Sequence, residues 1–278
     1  MRKIVRGRVW RNPSRSVRKM ATELKVSRSS LQRIVKRDLG LSSFKKRKVH
    51  YLSKVMKKKR LKRSKGLIDR FAIQGLDHVL FSDEKLFTIE EAYNQQNDRI
   101  LSSTASTIPE EYRYVKRVQK PCSVMVWAGI SSLGRTPIVF IPTGVKINAQ
   151  TYQNLVLKPI VKDLSKSMFN NEPFLFQQDG APAHTANTTQ SWLHSEIPDF
   201  ISKQEWPPSS PDLNPLDFSV WSILQTKACC KSHKNLEALK RSIVRAWNEI
   251  PQETMRMAVE AVPSRLRAVI KKKGGYIE

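Results

Sequence analysis

Half of the 50 Lys and Arg residues in this 278-residue chain fall within its first 65 positions, where Glu23 and Asp38 are the only acids. Residues 66–278 hold 25 cations against 22 acids. So charged a stretch can close only a very small core, which divides the chain into a short cationic region and a longer, nearly neutral one. A block of this sign is a solvated tail, an import signal or a surface for nucleic acid, and the net charge of +26 favours a polyanionic partner.

Periodicity separates those readings. Val17, Met20, Ala21 and Leu24 fall at helical spacing, and Leu31, Ile34 and Val35 repeat the pattern after a turn of about three residues. Ser16 and Ser27 are the expected N-caps, with Val26 and Leu31 placed as a hydrophobic staple. Two short helices so joined read either as a generic basic hairpin or as a helix-turn-helix that lays its second helix in the major groove. Arg28, Ser29, Gln32, Arg33 and Lys36 are then left outward, as types suited to phosphates and base edges. Upstream, Arg6-Gly7-Arg8 is expected to form an extended cationic segment for a narrow minor groove. Downstream, Lys45, Lys46, Arg47 and Lys48, and the run from Lys57 to Lys65, suit phosphate contacts, nuclear import or both.

Other classes are disfavoured. The chain has no apolar run of about 18 residues and no hydrophobic signal core, so the expectation is an intracellular protein without membrane spans. Cys122, Cys229 and Cys230 lack metal-site spacing, and the adjacent pair is expected to be reduced and helical. No nucleotide-cofactor motif is present.

Residues 52–75 read as a basic helical connector, with Leu52, Val55, Leu67, Ile68 and Phe71 as its sparse apolar positions. After it, residues 78–83, 122–130 and 137–141 read as strands, 151–166 as a helix, and 174–176 as a strand running into Gln177-Gln178-Asp179. Residues 184–196 and 215–230 read as helices around a short strand at 200–202. Helices also account for the region from Leu236 to Val269, followed by a frayed basic tail, KKKGGYIE. This order implies an α/β domain.

Asp83 and Asp179 are both expected at the C-terminal ends of strands, where open α/β sheets place their ligands. Asp217 is a third candidate in SPDLNPLD, with Asn214 as N-cap and Pro215 as the first helical residue. A carboxylate there opposes the helix dipole, and it can also bind metal, since it shares a face with Val220, Trp221 and Leu224. Three converging carboxylates are hard oxygen ligands suited to Mg²⁺, and two such ions about 4 Å apart support in-line attack on a phosphodiester.

Taken with their spacing, these segments resemble a known family. FSDEKLF around Asp83, QQDGAPAHTA around Asp179 and WPPSSPDLNPLDFSVW around Asp217, separated by 95 and 37 residues, are similar to the motifs of mariner-like transposases in the three-Asp branch. NPSRSVRKMATEL and VSRSSLQRIVKRDLGL resemble the second helix-turn-helix of that family's paired DNA-binding region. The resemblance implies an α/β ribonuclease-H-like catalytic domain, a mixed sheet flanked by helices, preceded by a small all-α helix-turn-helix domain. The expected boundaries are 1–50 for DNA binding, 51–75 for a basic helical linker and 76–278 for catalysis.

It further implies that Asp83, Asp179 and Asp217 coordinate two Mg²⁺ ions, for which Mn²⁺ substitutes. Water then cleaves transposon ends and the freed 3′ hydroxyl attacks target DNA, with no covalent protein intermediate. The implied partners are terminal inverted repeats, target DNA and a second copy of the chain, in the nucleus. His184, five residues after Asp179, is expected to shape the site rather than to ligate metal. The first helix-turn-helix unit of the family is expected to be missing, which makes a catalytically silent, host-retained DNA-binding protein the alternative. A nonspecific nuclease would share the three acids.

Overall fold

A computed structural model describes the chain except residues 45–48, 93–99, 115–116, 143, 146, 164–166, 198 and 278. Lys45, Lys46, Arg47, Lys48 and the Leu164 of the helical pattern therefore lie outside the described residues. The chain forms two compact units, Met1–His50 and Tyr51–Glu278.

The first unit is all helical: α1 (Arg2–Arg11), α2 (Val17–Glu23) and α3 (Arg28–Arg33), the last running on through a wide π-type turn, Ile34–Asp38. Its core is small, as the charge density requires. Val5, Met20, Ala21 and Leu31 are buried, with Val17, Leu24, Val26, Ile34 and Val35 packed around them. Both serine caps form, Ser16 Oγ accepting from Lys19 N and Ser27 Oγ from Ser30 N. Lys25, at φ 51°, makes the left-handed bend between α2 and α3, and Gly40, at φ 63°, follows the end of the π-type turn.

Arg6-Gly7-Arg8 is not extended. It lies inside α1, because Val5 and Val9 must reach the Met20–Leu31 core and one helical turn separates them. The two acids of this region are both engaged within it: Glu23 binds Arg8 at 2.8 Å and also Arg15, and Asp38 binds Arg2 at 2.6 Å.

The second unit is built on a five-stranded mixed sheet in the order β3-β2-β1-β4-β5. The strands are β1 (Val79–Thr88), β2 (Ser123–Ile130), β3 (Val139–Ile141), β4 (Leu175–Gln177) and β5 (Asp199–Phe200). β1 pairs antiparallel with β2 from Phe81↔Ile130 to Thr88↔Ser123, and parallel with β4 only from Val79↔Leu175 to Phe81↔Gln177. Alternation along the strands builds two cores. Val79, Phe81, Phe87, Val124, Val126 and Ala128 join the helices carrying Leu67, Trp221 and Trp247. Leu80, Trp127 and Phe176 face Tyr152, Val156 and Phe200 on the other side.

β1 outruns its expected end at residue 83 because the β2 ladder continues for five residues beyond it. The helix expected over 151–166 starts at Ala149 and widens to π type over Gln153–Lys162. Pro159 inside it has no N–H for the regular ladder, which is sufficient cause for the change. The helix expected over 184–196 is two pieces, Pro182–Thr185 and Asn187–Glu196, split where Ala186 turns extended. Cys229 and Cys230 fall just past the helix Trp221–Ala228, and all three cysteines are free thiols.

Helix α4 (Lys54–Gln74) occupies the expected linker, but it packs on the helix Val262–Lys271 and buries Arg60, Ser64, Leu67 and Phe71. The C-terminal tail is not frayed. Gly274 O accepts from Arg60 Nε at 3.2 Å, Leu52 N donates to Tyr276 Oη at 3.1 Å, and Gly274, at φ 81°, lies so close to Lys57 that a Cβ there would fall 2.0 Å from its carbonyl oxygen. No helix among the described residues is long and apolar enough to cross a membrane.

Candidate active site

Asp83 sits within β1, two residues beyond the last one paired with β4. Its strand-end position is thus true of the parallel pairing and not of the strand itself. By alternation it shares a face with Phe81 and Phe87, and there Trp221 Nε1 donates to its Oδ2 at 2.6 Å. Asp217 lies one helical turn before Trp221, in the first turn of the segment Leu216–Val220.

Asn214 ties that helix to the strand. Its side-chain oxygen accepts from Leu216 N at 3.1 Å, and its Nδ2 donates to the carbonyl of Ser82, the residue before Asp83, at 2.9 Å. Ser82 in turn holds β4, its Oγ donating to Gln177 O at 2.8 Å. The capping role expected of Asn214 is real, and it also fixes Asp217 against the sheet.

Burial, and then repulsion from Asp217, pushes the Asp83 carboxyl up to about 8, with Glu84 and Asp179 adding to the effect. The donation from Trp221 opposes this and is outweighed.

Asp179 stands in the loop after β4, with 45% of its side chain exposed. Its Oδ1 accepts from Ala181 N at 2.9 Å and meets His184 Nδ1 at 2.6 Å. Burial would raise this carboxyl, but the histidine hydrogen bond and charge hold it below its ordinary value. His184 is 3% exposed, its Nε2 lying 3.2 Å from Glu84 Oε1. Burial alone would lower its pKa; Glu84 and Asp179 overcome that and carry it up to about 10. The ring packs against Tyr152, 4.2 Å between centroids. Tyr152 Oη donates to Gln178 Oε1 at 2.9 Å.

Glu84 escaped sequence reasoning. Period-two alternation points it to the face opposite Asp83, and only the fold of the Asp179 loop brings His184 under it. Among the described residues, Glu84, Asp179 and His184 place one potential ligand atom each within 4.8 Å. Both ring nitrogens of His184 are engaged by carboxylates, so the oxygens of the acids are the donors left to a cation, and carboxylate oxygens suit a hard divalent ion.

The residues expected to contact DNA lie in the other unit. Arg28, Ser29, Gln32, Arg33 and Lys36 are all exposed on α3 and its extension. Arg6 is exposed on α1, whereas Arg8 is half-buried against Glu23.

A mixed sheet with carboxylates on and beside its central strand, in a chain that also carries a helical unit of helix-turn-helix form, defines an α/β fold of the ribonuclease-H-like type preceded by a small all-α unit. No protein-family model matches the chain. It is 28% identical over 270 residues to the Tc3 transposase of Caenorhabditis elegans, spanning 96% of this chain and 77% of that relative. To the Tc1 transposase of the same organism it is 27% identical over 176 residues, 60% of each. Among solved structures it is similar to the Mos1 transposase paired-end complex with left transposon end, at TM-score 0.79 and 17% identity, covering 100% of this chain and 80% of that one. The catalytic domain of Mos1 mariner transposase matches at TM-score 0.62, over 84% of this chain and 100% of that one. In sequence and in fold the chain is thus similar to mariner/Tc1-like transposases.

Proposed function

We propose that this protein is a DNA transposase that binds transposon ends, cuts phosphodiesters there with divalent metal and joins a freed 3′ hydroxyl to target DNA. The observation that carries the catalytic reading is the set of acids beside the central strand: Asp83, half-buried in β1 and bound by Trp221, Asp217 one helical turn before that tryptophan, and Asp179 held by His184 in the loop after β4. A transposase reading also accords with relatives of that activity, and with the Mg and Mn complexes solved for Mos1.

Asp83, Asp179 and Asp217 would hold two Mg²⁺ ions, with Mn²⁺ able to substitute. Bound there, divalent cations supply charge stabilisation for a phosphodiester under attack and activate the attacking oxygen. The chain's own residues prepare that site. Trp221 fixes Asp83, Asn214 ties the Asp217 helix to β1, and Ala181 N and His184 orient Asp179. Double-stranded DNA is read by residues 1–50, through Arg28, Ser29, Gln32, Arg33 and Lys36 in the major groove, with Arg6 and, beyond Leu41, Lys45, Lys46, Arg47 and Lys48 on phosphates. Residues 51–75 form the basic connection and 76–278 the catalytic domain. The working form is a homodimer on two terminal inverted repeats, in the nucleus.

The test is cleavage of labelled DNA carrying the element's own terminal repeats, in Mg²⁺ and then Mn²⁺. Cuts at the repeat ends are expected, and Asp179→Asn should abolish them while DNA binding persists. Cutting by that variant at the parental rate would remove the assignment of Asp179. Metal-independent binding with no cutting by the parent would make the chain a DNA-binding protein instead.

A further inference from the structure

We infer that Glu84 is a positioning residue for Asp179, acting through the His184 ring that bridges them. The inference rests on the proposed role of Asp179 as a metal ligand. Asp179 stands in a loop, two residues past the end of a three-residue strand, where no ladder hydrogen bond fixes it. Glu84 lies in β1, the central strand, paired across the ladder with the fully buried Trp127. It is the rigid end of the chain of contacts.

Each imidazole nitrogen faces one carboxylate oxygen: Nε2 is 3.2 Å from Glu84 Oε1, and Nδ1 is 2.6 Å from Asp179 Oδ1. Tyr152 packs against the ring at a tilt of 41°, 4.2 Å between centroids, and the His184 carbonyl accepts from Gln190 Nε2 at 2.9 Å and Gln178 Nε2 at 3.4 Å. Asp179 Oδ1 thereby takes two donors, His184 and Ala181 N, which commits that oxygen and aims Oδ2 as the one for a cation. Remove Glu84 and the ring keeps its contact with Tyr152 but loses the anchor that sets its rotation. Groups that orient a metal ligand in this way typically govern about 10–100-fold in metal affinity.

The experiment measures Mn²⁺ binding directly, by the paramagnetic resonance of free Mn²⁺ against the full-length protein without DNA. Thermal unfolding in chelator checks each variant's fold. Glu84→Ala should weaken Mn²⁺ binding by about 10–100-fold with folding retained. His184→Asn, whose amide nitrogen can stand near the position of Nδ1 but cannot reach Glu84, should show a comparable loss. The double variant should lose little more than either single one, because both break the same connection. Should Glu84→Ala fail to fold, Glu84→Asp withdraws the carboxylate by one methylene and is expected to weaken binding severalfold. Parental Mn²⁺ affinity in a folded Glu84 variant, or losses that multiply in the double variant, would overturn the inference and leave the site assignment standing. Parental affinity in Asp179→Asn, or no Mn²⁺ uptake by the parent, would overturn both.

Discussion

Asp83 is the residue on which burial and neighbouring charge act in the same direction. Its folded pKa, about 8, lies above its ordinary value of 3.8, so between those values the native state holds a proton that the unfolded chain has released. Stability of the metal-free protein should therefore fall as pH rises from about 4 through about 8. His184, raised to about 10, adds a decline of the same sign above its ordinary value of 6.5. In Asp83→Asn the carboxylate is gone and the amide oxygen can still accept from Trp221. Denaturant unfolding in chelator at pH 5, 7 and 9 should show this variant gaining on the parent by a growing margin, reaching a few kcal/mol. Added Mg²⁺ should close that margin by stabilising the parent alone. A margin that does not grow with pH would contradict the charge assignment.

At the scale of single elements, α4 turns a cationic stretch into structure. Arg60, with a side chain 1% exposed, meets Asp212 through two hydrogen bonds of 3.0 and 2.8 Å and also binds the backbone at Ser209 and Gly274. Arg63 donates to Trp206 O at 2.7 Å, and Arg70 pairs with Asp199 and Glu205. Three arginines of one helix thus hold the segment leading into Asn214 and Asp217. Removing one partner of a buried pair leaves the other charge uncompensated, so Arg60→Met should cost about 3–5 kcal/mol in urea unfolding. The exposed Lys58 and Lys62 of the same helix should change stability by no more than about 0.5 kcal/mol when replaced by Ala. Equal effects at Arg60 and Lys62 would refute this division of the run into structural and solvated cations.

For the whole molecule, the segregation of charge is what governs binding. Half the cations belong to the first 65 residues, and the proposed DNA contacts draw on them, so affinity should fall on the order of a thousandfold between about 50 and about 200 mM salt. Base reading should depend far less on salt. Arg33→Ala is expected to lose about 1–3 kcal/mol on the preferred sequence and clearly less on random DNA, as measured by competition binding. Equal losses on both would make Arg33 a phosphate contact.

Sequence by itself determined the parts of this protein that depend on near neighbours in the chain. The caps at Ser16 and Ser27, the helical stripes around Met20 and Leu31, the strand that carries Asp83, the strand that leads into Asp179, and the Asn214 cap were legible because capping and periodicity act over a few residues. Tertiary structure decided what depends on distant partners. Arg6-Gly7-Arg8 became helical because Val5 completes a core whose other buried members, Met20, Ala21 and Leu31, lie beyond residue 19. KKKRLKRSK became partly buried because Asp212 and Gly274 accept from Arg60, more than a hundred residues away in the chain. β1 passed Asp83 because β2 pairs with it to Thr88. Glu84 joined the site only when the loop after β4 brought His184 beneath it, since no local pattern records which loop will cover the second face of a strand.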